Sequence, residues 1–100
     1  MKKSIFLLVT LLCLPFVAMA QRTLSGIVTD VNNGQPLAGA TLYWKNTTAG
    51  ATTTANGSYS IKRVSGFDTI VVDYLGYDIV EMEVAKDVAT LDIALTPWAV

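Results

Sequence analysis

The most apolar segment beyond the first twenty residues is TIVVDYLGY, which occupies residues 69–77. Ile70 and Val72 share one face of an extended chain, and alternation with a period of two is typical of a β-strand. Val71 places an apolar side chain on the other face as well, so we expect this strand to lie centrally in a sheet with both faces covered. Gly76 then predicts a bend in the chain.

Similar short runs flank this segment on both sides, and Gly, Asn, Asp and Pro separate them. Their spacing of roughly ten residues, with no segment of helical period, predicts an all-β fold: an antiparallel β-sandwich of six to seven strands. The predicted strands are Leu24–Thr29, Ala40–Asn46, Ala51–Thr54, Ser58–Val64, Thr69–Tyr74, Ile79–Val84 and Thr90–Leu95.

Three local features refine this expectation. Gly26 inside the first strand indicates that a neighbouring group approaches the backbone closely. The run 51–54 is short and polar, which predicts an edge strand. Asn56-Gly57 predicts a type I′ hairpin between the strands on either side of it. The residues that we expect to shape turns are Gly34, Pro36, Asn56, Gly57 and Gly76.

The first twenty residues have the layout of a secretory signal peptide. Two lysines precede an apolar run from Ile5 to Val17, and Ala18-Met19-Ala20 forms a small-x-small cleavage site before Gln21. The run is too short for a transmembrane helix, and Pro15 interrupts it. We therefore expect export, with a start typical of bacteria, to a location beyond the inner membrane.

Without residues 1–20 the composition becomes that of an ordinary soluble domain. Those twenty residues hold 15 of the 52 apolar residues, and the remaining 80 carry five basic against eight acidic side chains, a net charge of −3. This charge argues against a nucleic-acid-binding surface. Eighty residues suffice for one small domain, which we place at 21–97 with a tail at 98–100.

The sequence offers little for catalysis. It has no histidine, and its single cysteine, Cys13, lies in the leader. Imidazole and thiolate ligands for zinc are therefore missing from the mature domain, as are Ser-His and Cys-His pairs. Asp30 with Asn32 and Asn33 could begin a calcium loop, but the rest of the ligand series is missing and we interpret the segment as a turn. We predict no catalytic residue, no metal site and no cofactor.

Aromatic residues are the candidates for a binding surface. Trp44, Tyr59 and Tyr74 have the parity of inward positions, so we assign them to the core. The candidates for a partner or ligand surface are Tyr43, Tyr77 and Trp98. Exposed aromatics on a sandwich can contact a partner protein or a sugar, and the sequence leaves both alternatives open.

Three blocks of sequence resemble the carboxypeptidase regulatory-like domains. They are LSGIVTD followed by NGQPLAGA over residues 24–40, TTTANGSYSI over residues 52–61, and IVVDYLGY over residues 70–77. Their order and spacing match the family's pattern, and the closing strand fits to about residue 95. Thr54 departs from the pattern, because the family usually has Asp there, and this should loosen the turn before Asn56.

The resemblance implies a seven-stranded, prealbumin-like (transthyretin-like) sandwich. It also implies the version of this domain at the N-terminus of TonB-dependent outer-membrane receptors of Bacteroidetes, the Sus-type importers of glycans and nutrients. A non-catalytic periplasmic module that contacts envelope proteins is the function it implies. The chain stops before a plug and barrel, so a truncated receptor and a free-standing exported structural domain are both consistent with it, and a carbohydrate-binding sandwich is the alternative. An enzyme similar to the hydroxyisourate hydrolases of this fold is not expected, since their chemistry needs histidines.

Overall fold

The computed structural model describes residues 22–98, and the predicted leader, residues 1–20, lies outside them. Within the described range the regular structure consists of seven strands, which confirms the all-β prediction. No helix in this range is long and apolar enough to cross a membrane. The strands are β1 (Thr23–Asp30), β2 (Thr41–Trp44), β3 (Gly50–Thr52), β4 (Ser58–Lys62), β5 (Thr69–Asp73), β6 (Val80–Glu83) and β7 (Ile93–Leu95).

The strands form two sheets. One has the order β4-β1-β7 and the other the order β3-β2-β5-β6. Cross-strand partners share a face of their sheet. Leu24 lies opposite Ile61 in the first sheet, and Leu42 lies opposite Val72 in the second. The apolar residues of each strand therefore line up into one continuous inner face on each sheet.

The core lies between these two inner faces. Trp44 is its largest fully buried side chain, and the indole Nε1 donates a hydrogen bond to the Lys62 carbonyl at 2.8 Å, so the one polar atom of the ring is satisfied. The alternation expected from the sequence is thus confirmed for both sheets. The strand residues of the core are Leu24, Val28, Leu42, Trp44, Tyr59, Ile61, Ile70, Val72, Ile93 and Leu95.

Two expectations about single residues are confirmed. Val71 is buried although it faces away from the core, because β5 is an inner strand between β2 and β6. A Cβ atom at Gly26 would overlap the carbonyl oxygen of Leu91 and would come within 3.1 Å of the Tyr59 ring. The close approach that a glycine in a strand indicates is therefore made by the segment that leads into β7.

The expected Asn-Gly hairpin is wrong. A type I′ turn needs positive φ at both central residues, whereas Asn56 has a negative φ and Gly57 has a φ of +75°. The strands on either side belong to different sheets, since β3 pairs with β2 and β4 pairs with β1. The chain crosses from one sheet to the other here, and a Cβ atom at Gly57 would lie 2.8 Å from the Val28 carbonyl oxygen.

One strand pair departs from the expected antiparallel arrangement. β1 and β7 run parallel, with Val28 opposite Ile93 and Asp30 opposite Leu95. The first and last strands therefore point the same way along the sandwich. As a result the described chain enters at the end where β1 begins and leaves at the opposite end, beside the last residues of β1.

The run predicted as an edge strand does lie at an edge. β3 pairs with β2 alone, although it covers residues 50–52 rather than 51–54. Thr53 has left the strand and its side chain is buried. Its hydroxyl donates to the Leu37 carbonyl at 2.5 Å and accepts from the Ala40 amide at 2.8 Å, which ties the end of β3 to the segment before β2.

Candidate functional site

The end of the sandwich where the chain leaves is built from two short paired segments. The Asp78 amide donates to the Thr96 carbonyl, and the Trp98 amide donates to the Gly76 carbonyl, both at 2.9 Å. Tyr77 and Pro97 lie opposite each other between these bonds. Alternation along the paired segments then places Asp78 and Trp98 on the outer side and Tyr77 on the inner side.

This end exposes large apolar side chains that the core does not use. Leu75 is 87% exposed and Trp98 is 56% exposed. The bend at Gly76, with a φ of +93°, turns the backbone between them. Both residues line an open cleft of about 300 Å³, together with Asp73 and Tyr74. We call the surface made by Asp73, Leu75, Asp78 and Trp98 the Trp98 platform.

Tyr77 supports the platform from below. Its hydroxyl donates a hydrogen bond of 2.7 Å to Oδ2 of Asp30, at the end of β1. This bond raises the pKa of the Tyr77 hydroxyl and lowers the pKa of the Asp30 carboxyl, on which the Asn32 amide also acts. The Tyr77 ring lies 5.5 Å from the Tyr74 ring, centroid to centroid. Tyr77 is therefore held by specific contacts and is only partly exposed.

The three aromatic candidates from the sequence do not form one surface. Trp98 lies on the platform, whereas Tyr77 points inward beneath it. Tyr43 lies on the outer face of the four-stranded sheet, opposite Gly50 and Val71, and is not among the residues that line the cleft. Leu75 and Asp73 were not candidates. The available signal was Gly76, because a glycine marks a turn and Leu75 comes directly before it.

Charge is distributed unevenly along the sandwich. Lys62 lies opposite Thr23 at the beginning of β1, and the Arg22 guanidinium donates to the Lys86 carbonyl at the same end. The Lys45 amide donates to the carbonyl of Thr69, where β5 begins, at the end of β5 away from Asp73. The Lys45 ammonium group pairs with Glu81 at 2.8 Å. All basic residues in the range 22–98 therefore lie away from the platform. They are Arg22, Lys45, Lys62, Arg63 and Lys86.

Among the charged side chains of residues 22–98, only acidic ones lie at the platform end. Asp30, Asp73 and Asp78 lie there, at the ends of β1 and β5 and in the paired segment. The Oδ1 atom of Asp30 accepts from the Asn32 amide while Oδ2 accepts from Tyr77, so both oxygens are engaged within the protein. This supports the interpretation of residues 30–34 as a turn, and no group of acidic side chains in residues 22–98 is arranged to hold a metal ion.

Arg63 organises the opposite end. Its guanidinium donates to the Val84 carbonyl at 2.9 Å, pairs with Asp68 at 3.3 Å and lies 4.8 Å from the centre of the Trp44 ring. Its side chain is 8% exposed, so the charge is enclosed and satisfied within the fold. This arginine therefore contributes to the structure by joining these groups.

Comparison with protein families gives a match over most of the described chain. The sequence model of the family described as CarboxypepD_reg-like domain matches residues 24–97. The match begins at the second residue of β1 and ends at Pro97, which lies opposite Tyr77. It therefore includes both sheets and most of the platform.

One characterised relative is the TonB-dependent receptor SusC of Bacteroides thetaiotaomicron, which is 37% identical over 86 residues. The alignment covers 85% of this chain but only 8% of the receptor. Two solved structures are similar in fold, both of interface mutants of a type II cohesin–X-dockerin complex from Acetivibrio cellulolyticus. One gives a TM-score of 0.59 at 26% identity, covering 78% of this chain and 58% of that chain. The other gives 0.55 at 26% identity, with 75% and 52% covered.

Proposed function

Because the chain belongs to the CarboxypepD_reg-like domain family, we propose that it is a non-catalytic interaction module of the kind that accompanies TonB-dependent outer-membrane receptors. In this role the exported domain lies in the periplasm and contacts a protein of the envelope during nutrient or glycan uptake. The observation that carries the proposal is the 37% identity with SusC over 85% of this chain.

The termini of the described chain fit such a role. Since β1 and β7 are parallel, the chain enters at one end of the sandwich and leaves at the other. β1 alone spans eight residues, or roughly 25 Å at 3.3 Å per residue. A domain inserted in line would therefore hold its two neighbouring segments at opposite ends and would present its sheet faces and the remaining loops to other proteins.

Two surfaces could make the contact. Strand addition at β3 is limited, because β3 is three residues long and offers outward backbone groups only near Gly50 and Thr52. The Trp98 platform offers larger apolar side chains at high exposure. These observations favour the loops at the end of the sandwich over its edge as the main contact. A sugar-binding role remains the second hypothesis, and of its three aromatic candidates only Trp98 lies in an open cleft.

The test combines localisation with capture in the native bacterium. We expect an epitope-tagged chain to start at Gln21, to be released or retained with the envelope fraction, and to be crosslinked by formaldehyde to an outer-membrane transport protein identified by mass spectrometry. Another exported β-sandwich with the same tag is the control for unspecific crosslinking. An uncleaved cytoplasmic chain would contradict the proposal, as would an exported chain that is crosslinked to no envelope protein above the control.

A further inference from the structure

The Trp98 platform combines exposed apolar side chains with carboxylates. Resting on the proposed role as an interaction module, we propose that the platform docks a protein segment in which Lys or Arg side chains flank an exposed apolar side chain. Neither the family match nor the similarity to SusC assigns a partner to this surface.

The apolar part of the argument is exposure. Large exposed apolar side chains in the described range are Ile27, Val31, Phe67, Leu75, Ile79 and Trp98. Two of these, Leu75 and Trp98, line the same open cleft. Large exposed apolar side chains that share one surface mark interaction sites, whereas single exposed apolar residues are ordinary.

The electrostatic part is the sign of the surrounding charge. Asp73 lines the cleft beside Trp98, and Asp78 lies on the same outer side of the paired segments. No lysine or arginine of residues 22–98 is located at this end to neutralise them. A surface of apolar side chains between unpaired carboxylates attracts a basic segment and repels an acidic one.

The apolar and the basic side chains of such a segment would contact different residues of the platform. An apolar side chain of the partner can cover Leu75, while an ammonium or guanidinium group enters the cleft between the Asp73 carboxylate and the Trp98 ring. An indole face is the aromatic surface that best stabilises a cation, and the neighbouring carboxylate adds a direct ion pair. The charge also disfavours an anionic membrane surface as the occupant.

The experiment is a titration of ¹⁵N-labelled residues 21–100, which contain both sheets and the described core. The probe is the peptide acetyl-Ala-Lys-Trp-Lys-Leu-Ala-amide, and its counterpart with Glu for both lysines is the charge-reversed control. We expect amide shifts confined to segments 39–41, 73–79 and 96–98, with half-saturation at roughly 0.1–1 mM, and weakening as NaCl rises to about 0.5 M.

Matched variants separate the platform from unspecific binding. Trp98→Ala and Asp73→Asn should each weaken binding by about fivefold or more. Phe67→Ser, which removes an exposed apolar side chain at the other end, should leave it unchanged. Far-UV circular dichroism confirms that each variant keeps the fold.

Several outcomes would overturn the inference: equal shifts with the charge-reversed peptide, shifts centred on Phe67, no shift at millimolar peptide, or platform shifts with maltoheptaose in place of the peptide. Concentration-dependent sedimentation with shifts at both ends would instead assign the platform to a second copy of this chain and would also overturn it. Because the titration uses purified protein, its failure leaves the outcome of localisation and capture in the bacterium unaffected.

Discussion

The hydroxyl of Tyr77 donates a hydrogen bond of 2.7 Å to the Oδ2 atom of Asp30, and these residues are 47 positions apart in the chain. Asp30 ends β1 in the three-stranded sheet, whereas Tyr77 comes after β5 of the four-stranded sheet. The bond therefore links the two sheets at the end where the chain leaves. It also fixes the inner side of the segment whose outer side carries Trp98.

Replacing Tyr77 by Phe should destabilise the domain, because it removes a hydrogen bond to a carboxylate that lies in a largely buried position. We expect the melting temperature of residues 21–100 to fall by about 4 °C or more, measured by circular dichroism. Tyr43→Phe, on the outer face of the four-stranded sheet and away from this bond, is the matched control and should change the melting temperature little. Equal effects of the two substitutions would show that the Tyr77–Asp30 bond contributes nothing specific.

The same bond predicts a loss of stability in acid. The Tyr77 hydroxyl and the Asn32 amide lower the pKa of Asp30 in the folded state, whereas an unfolded Asp titrates near about 3.9. Between these two values the unfolded state binds more protons, so stability falls as the pH decreases. We expect urea midpoints to decline below about pH 4, and to decline less in Tyr77→Phe. If the urea midpoint of Tyr77→Phe fell as much in acid as that of the parent, the Tyr77–Asp30 bond would not be the cause of the acid sensitivity.

Much of the fold was accessible from the sequence because strand periodicity is local. Alternation identified the inward positions of Ile70 and Val72, and the apolar residue on the second face at Val71 identified an inner strand. Tyr74 was also assigned to the core from its parity, but it is only partly buried. The pairing partners were not accessible in the same way. Asn56-Gly57 is a hairpin signal locally, but β3 pairs with the preceding strand β2, and β4 pairs with β1, which is distant in sequence.

The candidate site was predicted only in part. Trp98, one of the three surface candidates, is 56% exposed, whereas Tyr77 is only partly exposed because its hydroxyl is bonded to Asp30, a contact that no local pattern encodes. Leu75 has the outward parity of Val71 and Asp73, but β5 ends at Asp73, and alternation does not determine how a residue beyond the end of a strand is covered. The one-sided charge distribution likewise depends on the parallel pairing of β1 and β7.

Gly26→Ala should be strongly destabilising. The added methyl group would overlap the Leu91 carbonyl oxygen, which also accepts a hydrogen bond from the Tyr59 hydroxyl. Since the obstacle is backbone, relief requires the segment before β7 to move, and we expect a loss of about 3 kcal/mol in the free energy of unfolding. Ser60→Ala, at an exposed position of the neighbouring strand β4, should cost less than about 0.5 kcal/mol. If Gly26→Ala were nearly as stable as the parent, the Leu91 carbonyl could move away from position 26 at little cost.

Arg63→Lys tests whether the shape of the guanidinium matters or only its charge. Arg63 reaches the carbonyls of Val84 and Val88, the Asp68 carboxylate and the Trp44 ring at once, which a single ammonium cannot do. We expect a loss of about 2 kcal/mol in urea denaturation, together with a change in Trp44 fluorescence. The converse exchange at the exposed neighbour, Lys62→Arg, should be neutral within about 0.5 kcal/mol. If Arg63→Lys is equally neutral, the positive charge at position 63 is enough to stabilise this end of the sandwich, and the shape of the guanidinium is not needed.

Thr53→Val tests a buried hydroxyl that joins two backbone groups. The Thr53 hydroxyl donates to the Leu37 carbonyl and accepts from the Ala40 amide, and valine leaves both of these buried groups without a partner. Because each unpaired group costs about 1–3 kcal/mol, we expect Thr53→Val to lower the free energy of unfolding by about 2–4 kcal/mol.

Thr53→Ser keeps the hydroxyl and removes one methyl group, so it should lose only about 1 kcal/mol in the same urea titration. Thr52→Val, at the exposed neighbouring position of β3, is the control for strand propensity and should be neutral or slightly stabilising. We expect stability to decrease in the order Thr52→Val, Thr53→Ser, Thr53→Val, and the gap between the two variants at position 53 reports the hydrogen bonds of the hydroxyl. If Thr53→Val were no more destabilising than Thr52→Val, the bridge that the hydroxyl forms between β3 and the segment before β2 would carry no stability of its own.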